Sequence, residues 1–368
     1  MKTVRRLFYG EVVMAVTLVT LGFIALFYFF DFVEELQSVT RHSAAGYKLP
    51  QAMVYIALMI PSHVYELLPI TVLIGTIFVM ARFAKSSEFT ILRTSGLGPW
   101  RALRTLLVLG LGFVFFTFAV GDYAAPWADK TAQLLKSKYQ GSITVGKTGA
   151  WLKEKQAYSH FAINVGALTP DEGMKHIRIL EFNNQGFMVA MIEGQTAEFR
   201  DDESWLLHKV DRTEFTSTDA NASRVDRSFM ETFRWPTQVS AEMVAAAVLK
   251  PERMGTIDLF QYMRHLDANG QSAQKYEIQF WKKVFYPLSC LVMVVLALPF
   301  AYLHFRSGSI ATYVFGGVMA GISFILLNNV LVDLGGLQGW QPWLTAALPG
   351  LIYSIASLTA FAWLVIRQ

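Results

Sequence analysis

Long stretches of this chain carry no charge, and that limits the fold more than any other feature of the sequence. Residues 12–30, 105–121, 284–303, 307–332 and 334–366 contain no Asp, Glu, Lys or Arg, and residues 49–81 contain only Glu66. A bilayer core takes about 20 predominantly apolar residues per helix. The runs therefore predict six spans, at about 11–31, 58–82, 102–124, 282–303, 310–332 and 344–366. The first run is longer than a secretory leader's apolar region and no Ala-x-Ala site follows it, so it reads as a span. Only 16% of the 368 residues are charged, against roughly 25% in soluble domains. That excludes an ordinary soluble enzyme. The lone Cys290 excludes an internal disulfide framework and a cysteine metal cluster.

Residues 125–280 are different. They hold 20 Asp/Glu and 18 Lys/Arg, the charge density of a soluble domain. Short runs stand between turn signals: 149–153, 158–165, 176–182, 187–193, 196–200, 205–215 and 224–235. Asn183-Asn184-Gln185-Gly186 and Arg200-Asp201-Asp202-Glu203 read as hairpin connections. Seven or eight strands so spaced predict a sandwich or jelly roll. After Pro251, Thr256 is placed to cap a helix with Leu259, Tyr262, Met263 and Leu266 on one face, and Gly270 to end it. A second helix from about Ser272 leads into the fourth span. The fold class is an α-helical integral membrane protein with six transmembrane helices and an all-β, jelly-roll-like domain between helices 3 and 4. Its parts are 1–124, with a short cytoplasmic helix near 86–96, then 125–255, a helical connector at 256–280, and 281–368.

Lys and Arg accumulate on the cytoplasmic side of membrane proteins. An inside N-terminus gives that side Lys2, Arg5, Arg6, Arg82, Lys85, Arg93, Arg101, Arg104, Arg306 and Arg367 against Glu88. Both termini are then cytoplasmic and the β domain lies outside, in the periplasm if the cell is bacterial. The pI near 9.0 becomes a topology signal, and no nucleic-acid partner is needed to explain it.

Several motifs fail. Gly141-Ser142-Ile143-Thr144-Val145-Gly146-Lys147-Thr148 matches the phosphate-loop pattern but lacks its strand-to-helix setting. The seven histidines form no zinc signature and no nucleophile elbow occurs. Asp201-Asp202-Glu203 lacks the alternating oxygens of a calcium loop. The chain has no catalytic constellation and no metal or cofactor site of its own.

The cytoplasmic segment between spans 2 and 3 is more informative. Ser86 or Ser87 is suited to cap a helix, and Glu88 to sit in its positive first turn. Gly96 supplies a stop before Gly98-Pro99, and Phe89 and Leu92 share a side. A helix this short is marginal alone in water, so it docks on the membrane surface or on a partner.

The segment Ser86-Ser87-Glu88-Phe89-Thr90-Ile91-Leu92-Arg93-Thr94-Ser95-Gly96 resembles the coupling-helix motif of the lipopolysaccharide export permeases, the LptF/LptG family. Gly121-Asp122-Tyr123-Ala124-Ala125-Pro126 resembles that family's Gly-x-x-x-Ala-Pro exit from helix 3. The spacing Trp281-x-Lys283-x-Phe285-x-Pro287-Leu288 resembles the entry to helix 4, in its LptG form. The resemblance runs over nearly the whole chain and is weakest in the β domain.

It implies one permease subunit of an ABC-type exporter in the Gram-negative inner membrane. The implied partners are the second permease LptF, two copies of the ATPase LptB with ATP and Mg, and LptC and the bridge protein LptA. Lipopolysaccharide is the implied substrate, in contact with membrane lipid. Ser87, Glu88, Phe89, Leu92 and Gly96 become ATPase-coupling residues. Helices 1 and 5 border a lateral gate, which makes Phe27, Phe30 and Tyr313 candidates for the lipid; Lys130, Lys136 and Lys138 lie in a basic region suited to phosphate. Lipid-facing rings and solvated lysines are the alternative readings.

Some relatives carry a lysine where this chain has Asp31, followed by Phe32-Val33-Glu34-Glu35. Such an acidic cluster calls for a divalent cation or a basic partner chain. Pro61 and Pro69 bracket His63 and Glu66 and predict a kink in span 2, where Glu66 reads first as a structural hydrogen-bonding residue. Asn328 and Asn329 are placed to link helices or line the gate. Two other classes compete: an ion-coupled secondary transporter and a membrane anchor for a β scaffold. The first calls for inverted repeats and mid-span ionisable pairs, and the second has no need of a coupling helix.

Overall fold

The computed structural model describes residues 2–43, 46–85, 99–140, 149–156, 158–168, 173–200, 204–219, 222–240, 243–244, 251–299 and 310–366. Six helical stretches are long and apolar enough to cross a membrane, matching the six charge-poor runs. The first two are α1 (Lys2–His42) and α2 (Leu49–Lys85). The third is α3 (Pro99–Ala119), a π turn (Val120–Ala124) and α4 (Ala125–Gln140). After α5 (Thr256–Ala268), the fourth is α6 (Gln274–Phe285), a 3-10 turn (Tyr286–Leu288) and α7 (Ser289–Leu296). The last two are α8 (Ile310–Gln338) and α9 (Pro342–Ile366). The helices exceed the charge-free runs because a polar flank extends a helix beyond the hydrocarbon at no desolvation cost. α2 continues through both Pro61 and Pro69.

Chain contacts separate two compact units. One comprises Met1–Glu34, Ile56–Ala128 and Glu277–Gln368; the other comprises Glu35–Tyr55 and Asp129–Tyr276. In the first unit α2 is central, with 83% of its apolar window buried against 22% for α1 and for α8. Its core joins Val12 and Val16 of α1, Val72 and Val79 of α2, Leu106 of α3, and Cys290 and Val294 of α7. Thr20 Oγ1 donates to Thr71 Oγ1 at 2.9 Å, so a hydrogen bond ties α1 to α2 where no water competes.

The second unit contains a single antiparallel sheet in sequential order. Its strands are β1 (Ala150–Lys155), β2 (Ser159–Leu168), β3 (Met174–Asn183), β4 (Met188–Arg200), β5 (Ser204–Asp219) and β6 (Ala222–Pro236). The described strands thus number six, not seven or eight: the expected runs 187–193 and 196–200 fuse through Gly194-Gln195 into β4. Their order is a meander, whereas a jelly roll is built from Greek-key crossovers between two sheets. Asn183 Oδ1 accepts from the N–H groups of Gln185 and Phe187, each at 3.0 Å, and closes the expected β3–β4 turn. The phosphate-loop match at 141–148 and the turn at 201–203 lie outside the described residues.

A crease crosses this sheet. Buried positions alternate regularly in β2, at Phe161, Ile163, Val165 and Ala167. In β3 they run Met174, Ile177, Ile179, and in β5 Trp205, Leu207, Val210. β4 makes the same slip between buried Gly194 and Ala197. The slips lie in one row, because Lys175 pairs with Thr196 and Thr196 with His208. A slip in one strand would turn its apolar set to the wrong face. Here β3, β4 and β5 slip together, so their mutual pairing resumes in register and their apolar residues stay on one face. The cost is a left-handed backbone at His176 (φ 53°) and Lys209 (φ 51°).

The two ends of the sheet are stitched together. Buried Glu154 of β1 accepts from Thr237 Oγ1 and, at 2.9 Å, from Gln238 N, just beyond β6. Trp235 stacks edge-on against Phe161 at 5.5 Å and Trp205 at 5.3 Å. Helix α5 (Thr256–Ala268) follows, burying Leu259, Tyr262 and Leu266. Its cap is Gly255, whose N–H donates to Asp258 Oδ2 at 3.2 Å. The expected cap Thr256 is instead the first helical residue. Gly270 ends the helix as expected, at φ +65°.

Burial lowers the His265 pKa below its ordinary value, with Glu154 and a backbone hydrogen bond at Lys153 acting in the opposite direction. The folded state therefore favours neutral imidazole. This contribution to stability is complete above the unfolded value of about 6.5 and is lost as pH falls through the lower folded value. His265→Asn should flatten the pH dependence of thermal unfolding of the full chain between about pH 7 and 5. At the crease, Lys209→Val should cost about 1–2 kcal/mol, because a β-branched side chain resists positive φ, while Lys209→Asn is near neutral. Chemical denaturation of the full chain measures both.

Candidate functional site

The candidate residues fall into three groups. In the first unit, Asp31 of α1 lies against α2, with Oδ2 at 2.7 Å from His63 Nε2. Phe27, one turn back on α1, has its ring 5.2 Å from the His63 ring. Asp31 is therefore matched by an imidazole of the neighbouring span. Phe30 points the other way and is 59% exposed, like Phe29. Tyr313 of α8 packs against the cluster of Leu73, Ile77, Tyr286, Met293, Ala297 and Phe324. Phe27 and Tyr313 are thus partly built into the helix bundle, and Phe30 is free to face lipid.

In the second unit, Glu35 is buried and accepts from Tyr47 Oη at 2.9 Å and Lys136 Nζ at 2.8 Å. The Lys136 ammonium also sits 4.5 Å from the centre of the Tyr55 ring. Burial, followed by the hydrogen bond to Glu35, raises the Tyr47 pKa well above the ordinary phenol value, so the hydroxyl stays a donor at any physiological pH. Lys136 is therefore engaged by a carboxylate of its own chain. Lys130 is exposed, and the Lys138 side chain lies outside the described residues. Asp31 and Glu35 each meet a basic side chain of the same molecule. Among the described residues, no cluster of three His, Cys, Asp or Glu is placed to hold a metal.

The third group is the segment with Ser87, Glu88, Phe89, Leu92 and Gly96, which lies outside the described residues. Its flanks are described. Arg82 at the end of α2 pairs with Glu11 of α1 at 2.7 Å, Phe83 packs on Phe8, and Trp100 of α3 meets Phe361 of α9 edge-on. The helices entering and leaving the segment are both packed into the bundle.

Sequence reasoning missed a node where three helices meet. Lys283 Nζ of α6 donates to the Gly121 carbonyl of the π turn at 3.0 Å. A Cβ on Gly121 would lie 2.2 Å from Tyr65 Cε2 of α2, so only glycine fits there. The Tyr65 ring lies 5.1 Å from that of Tyr286, whose hydroxyl donates to the Glu66 carbonyl at 2.6 Å. This bond uses the Glu66 backbone carbonyl and does not bear on the role of its side chain. The signal was present in the two short motifs, but nothing in their spacing says that they touch.

Six apolar helices, a β unit inserted between the third and fourth, and a basic segment between the second and third describe a multi-span membrane protein. A family model of the lipopolysaccharide export system permease LptF/LptG matches residues 6–365. The chain is 26% identical over 355 residues to the lipopolysaccharide export system permease protein LptG of Haemophilus influenzae, covering 96% of this chain and 94% of that one. It is also 26% identical over 340 residues to LptG of Escherichia coli K12, covering 92% and 90%. The chain belongs to the LptF/LptG family of lipopolysaccharide export permeases. Members of this family are transporter subunits, not enzymes.

The Glu35 centre supports a quantitative expectation. Removing one partner of a buried ion pair leaves the other charge uncompensated. Glu35→Ala should cost about 2–4 kcal/mol, and Glu35→Leu combined with Lys136→Met should recover most of it. Thermal unfolding of the purified chain in detergent measures both variants.

Proposed function

We propose that this chain is one of two permease subunits of an ATP-driven lipopolysaccharide exporter of the Gram-negative inner membrane, in the LptG position. The match over residues 6–365 carries this reading, together with the LptG relatives that cover more than nine-tenths of the chain. In this reading both termini are cytoplasmic and the curled β unit is periplasmic, where it takes the part of the family's jelly-roll domain. The second permease LptF pairs with this subunit, two LptB ATPases bind ATP and Mg below it, and LptC and LptA receive the lipid above.

The one phosphate-loop match, at 141–148, lacks the motif's strand-to-helix sequence setting, and the ATPase is assigned to a separate subunit. The segment 86–96 delivers the ATPase stroke to α2 and α3, between which it is strung. Glu88 makes the principal contact, and Ser87, Phe89, Leu92 and Gly96 shape the helix. Such strokes gate many transporters by rigid movement of packed helices.

The lipid's many acyl chains need an apolar wall. Exposed apolar residues run along α1 (Met14, Leu18, Phe29, Phe30) and along α8 (Phe315, Met319, Ile322, Leu326). Exposed apolar side chains on membrane spans face acyl chains, and we assign these two faces to the gate, with Phe27 and Tyr313 behind them. Lys130 is exposed and suited to phosphate, and Lys136 becomes so when it leaves Glu35; Lys138 is assigned to the same role from the sequence alone.

Glu88→Ala should reduce recovery of the ATPase with the permease pair at least about tenfold, the effect of losing one charged interface contact. Export should fall with it. Unchanged ATPase recovery and normal lipopolysaccharide delivery would overturn the assignment.

A further inference from the structure

The node at Gly121 has a chemical logic that none of the proposed transport contacts uses. The Ala125 N–H reaches back five residues to the Val120 carbonyl, which defines the π turn. Continuing that pattern by one residue would bring the N–H of residue 126 onto the Gly121 carbonyl. Residue 126 is proline and has no N–H. In an ordinary α-helix its ring would also clash with the carbonyl four residues back. The widened turn relieves that clash and leaves the Gly121 carbonyl without a backbone donor from position 126. A bare carbonyl is costly within an apolar bundle. Lys283 supplies the missing hydrogen from the fourth span, at 3.0 Å, from a position where only 8% of its surface is exposed.

The facing helix is irregular at the same place. Pro287 lies in the 3-10 turn Tyr286–Leu288, which separates α6 from α7. One turn along α3, Thr117 Oγ1 meets Cys290 Sγ at 3.2 Å. A widened turn in the third span and a tightened turn in the fourth are therefore held together by a buried ammonium, with Tyr65 of α2 filling the space above Gly121. π turns recur at functional sites because their hydrogen bonding is easily rearranged.

We infer that Lys283 is a positioning residue of the permease: it replaces the N–H that Pro126 lacks and locks the widened turn of the third span onto the fourth. This rests on the permease reading in one respect only. The lock makes movement that enters α3 from the coupling segment pass to α6 and α7, where a free turn would absorb it.

The test uses the full chain in its complex with the second permease and the ATPase, in lipid. Amide hydrogen exchange over residues 121–125 is compared among wild type, Lys283→Met, Lys283→Arg and Lys283→Met with Pro126→Ala. Lys283→Met should speed exchange about tenfold, the effect of one lost charge-assisted hydrogen bond. Lys283→Arg should stay close to wild type. Pro126→Ala should rescue Lys283→Met, because alanine restores a backbone N–H; such coupling marks groups that share one partner. In the same samples, ATP consumed per lipopolysaccharide released should rise at least about threefold in Lys283→Met and return in the rescued variant.

Unchanged exchange in Lys283→Met, or absence of rescue by Pro126→Ala, would overturn the lock. Altered exchange with an unchanged ratio of ATP to lipid would overturn its role in transport. If wild type itself releases no lipid, the permease reading fails, and the exchange comparison still decides whether Lys283 holds the turn.

Discussion

A bilayer interior offers no water to a bare backbone carbonyl or an unpaired charge, and the transmembrane part of this protein is arranged around that fact. Its six spans are helices because a helix satisfies its own backbone. At the π turn, where the helical pattern breaks, a side chain from a neighbouring helix supplies a donor, and elsewhere side chains reach carbonyls within regular helices. Lys283 reaches the Gly121 carbonyl, Tyr286 the Glu66 carbonyl and Tyr9 the Thr105 carbonyl. Each bond also crosses from one helix to another, so the satisfaction of backbone groups and the joining of spans are accomplished by the same contacts. α2 lies at the centre of this arrangement and has the most buried apolar window of the six.

The same economy governs the charged residues around the membrane flanks. Asp31, Glu35 and Glu11 would each be a liability beside an apolar span if unpaired. Each has a basic partner on another helix, His63, Lys136 and Arg82 respectively. For the proposed binding of lipid phosphate the pairing of Lys136 matters, because its ammonium is already bound to a buried carboxylate. A phosphate has to displace Glu35 to claim it, whereas Lys130 is open from the start.

Much of the membrane architecture was legible because charge distribution is a one-dimensional property. All six spans, the inserted β unit, the turn at Asn183–Gly186 and the helix stop at Gly270 could be read from local pattern. What escaped was contact between distant residues. Asp31 and His63 are 32 positions apart, Glu35 and Lys136 are 101, and Lys283 and Gly121 are 162. The strand count failed for a related reason. Gly194-Gln195 interrupts the alternation within β4, which looks like a turn in one strand. Only pairing with β3 and β5 shows it to be a crease shared across the sheet. The proposed coupling residues rest on resemblance alone, because their segment lies outside the described residues.

The central claim is that this chain moves lipopolysaccharide out of a membrane when a separate ATPase turns over. Its most direct measurement is transfer from proteoliposomes that contain this permease, its partner permease, the ATPase and labelled lipopolysaccharide. A soluble periplasmic acceptor serves as the trap. The account predicts transfer that requires ATP and all three protein components, and that stops with Glu88→Ala while the proteins remain in the membrane. Transfer without ATP, or equal transfer when this chain is omitted, would contradict it.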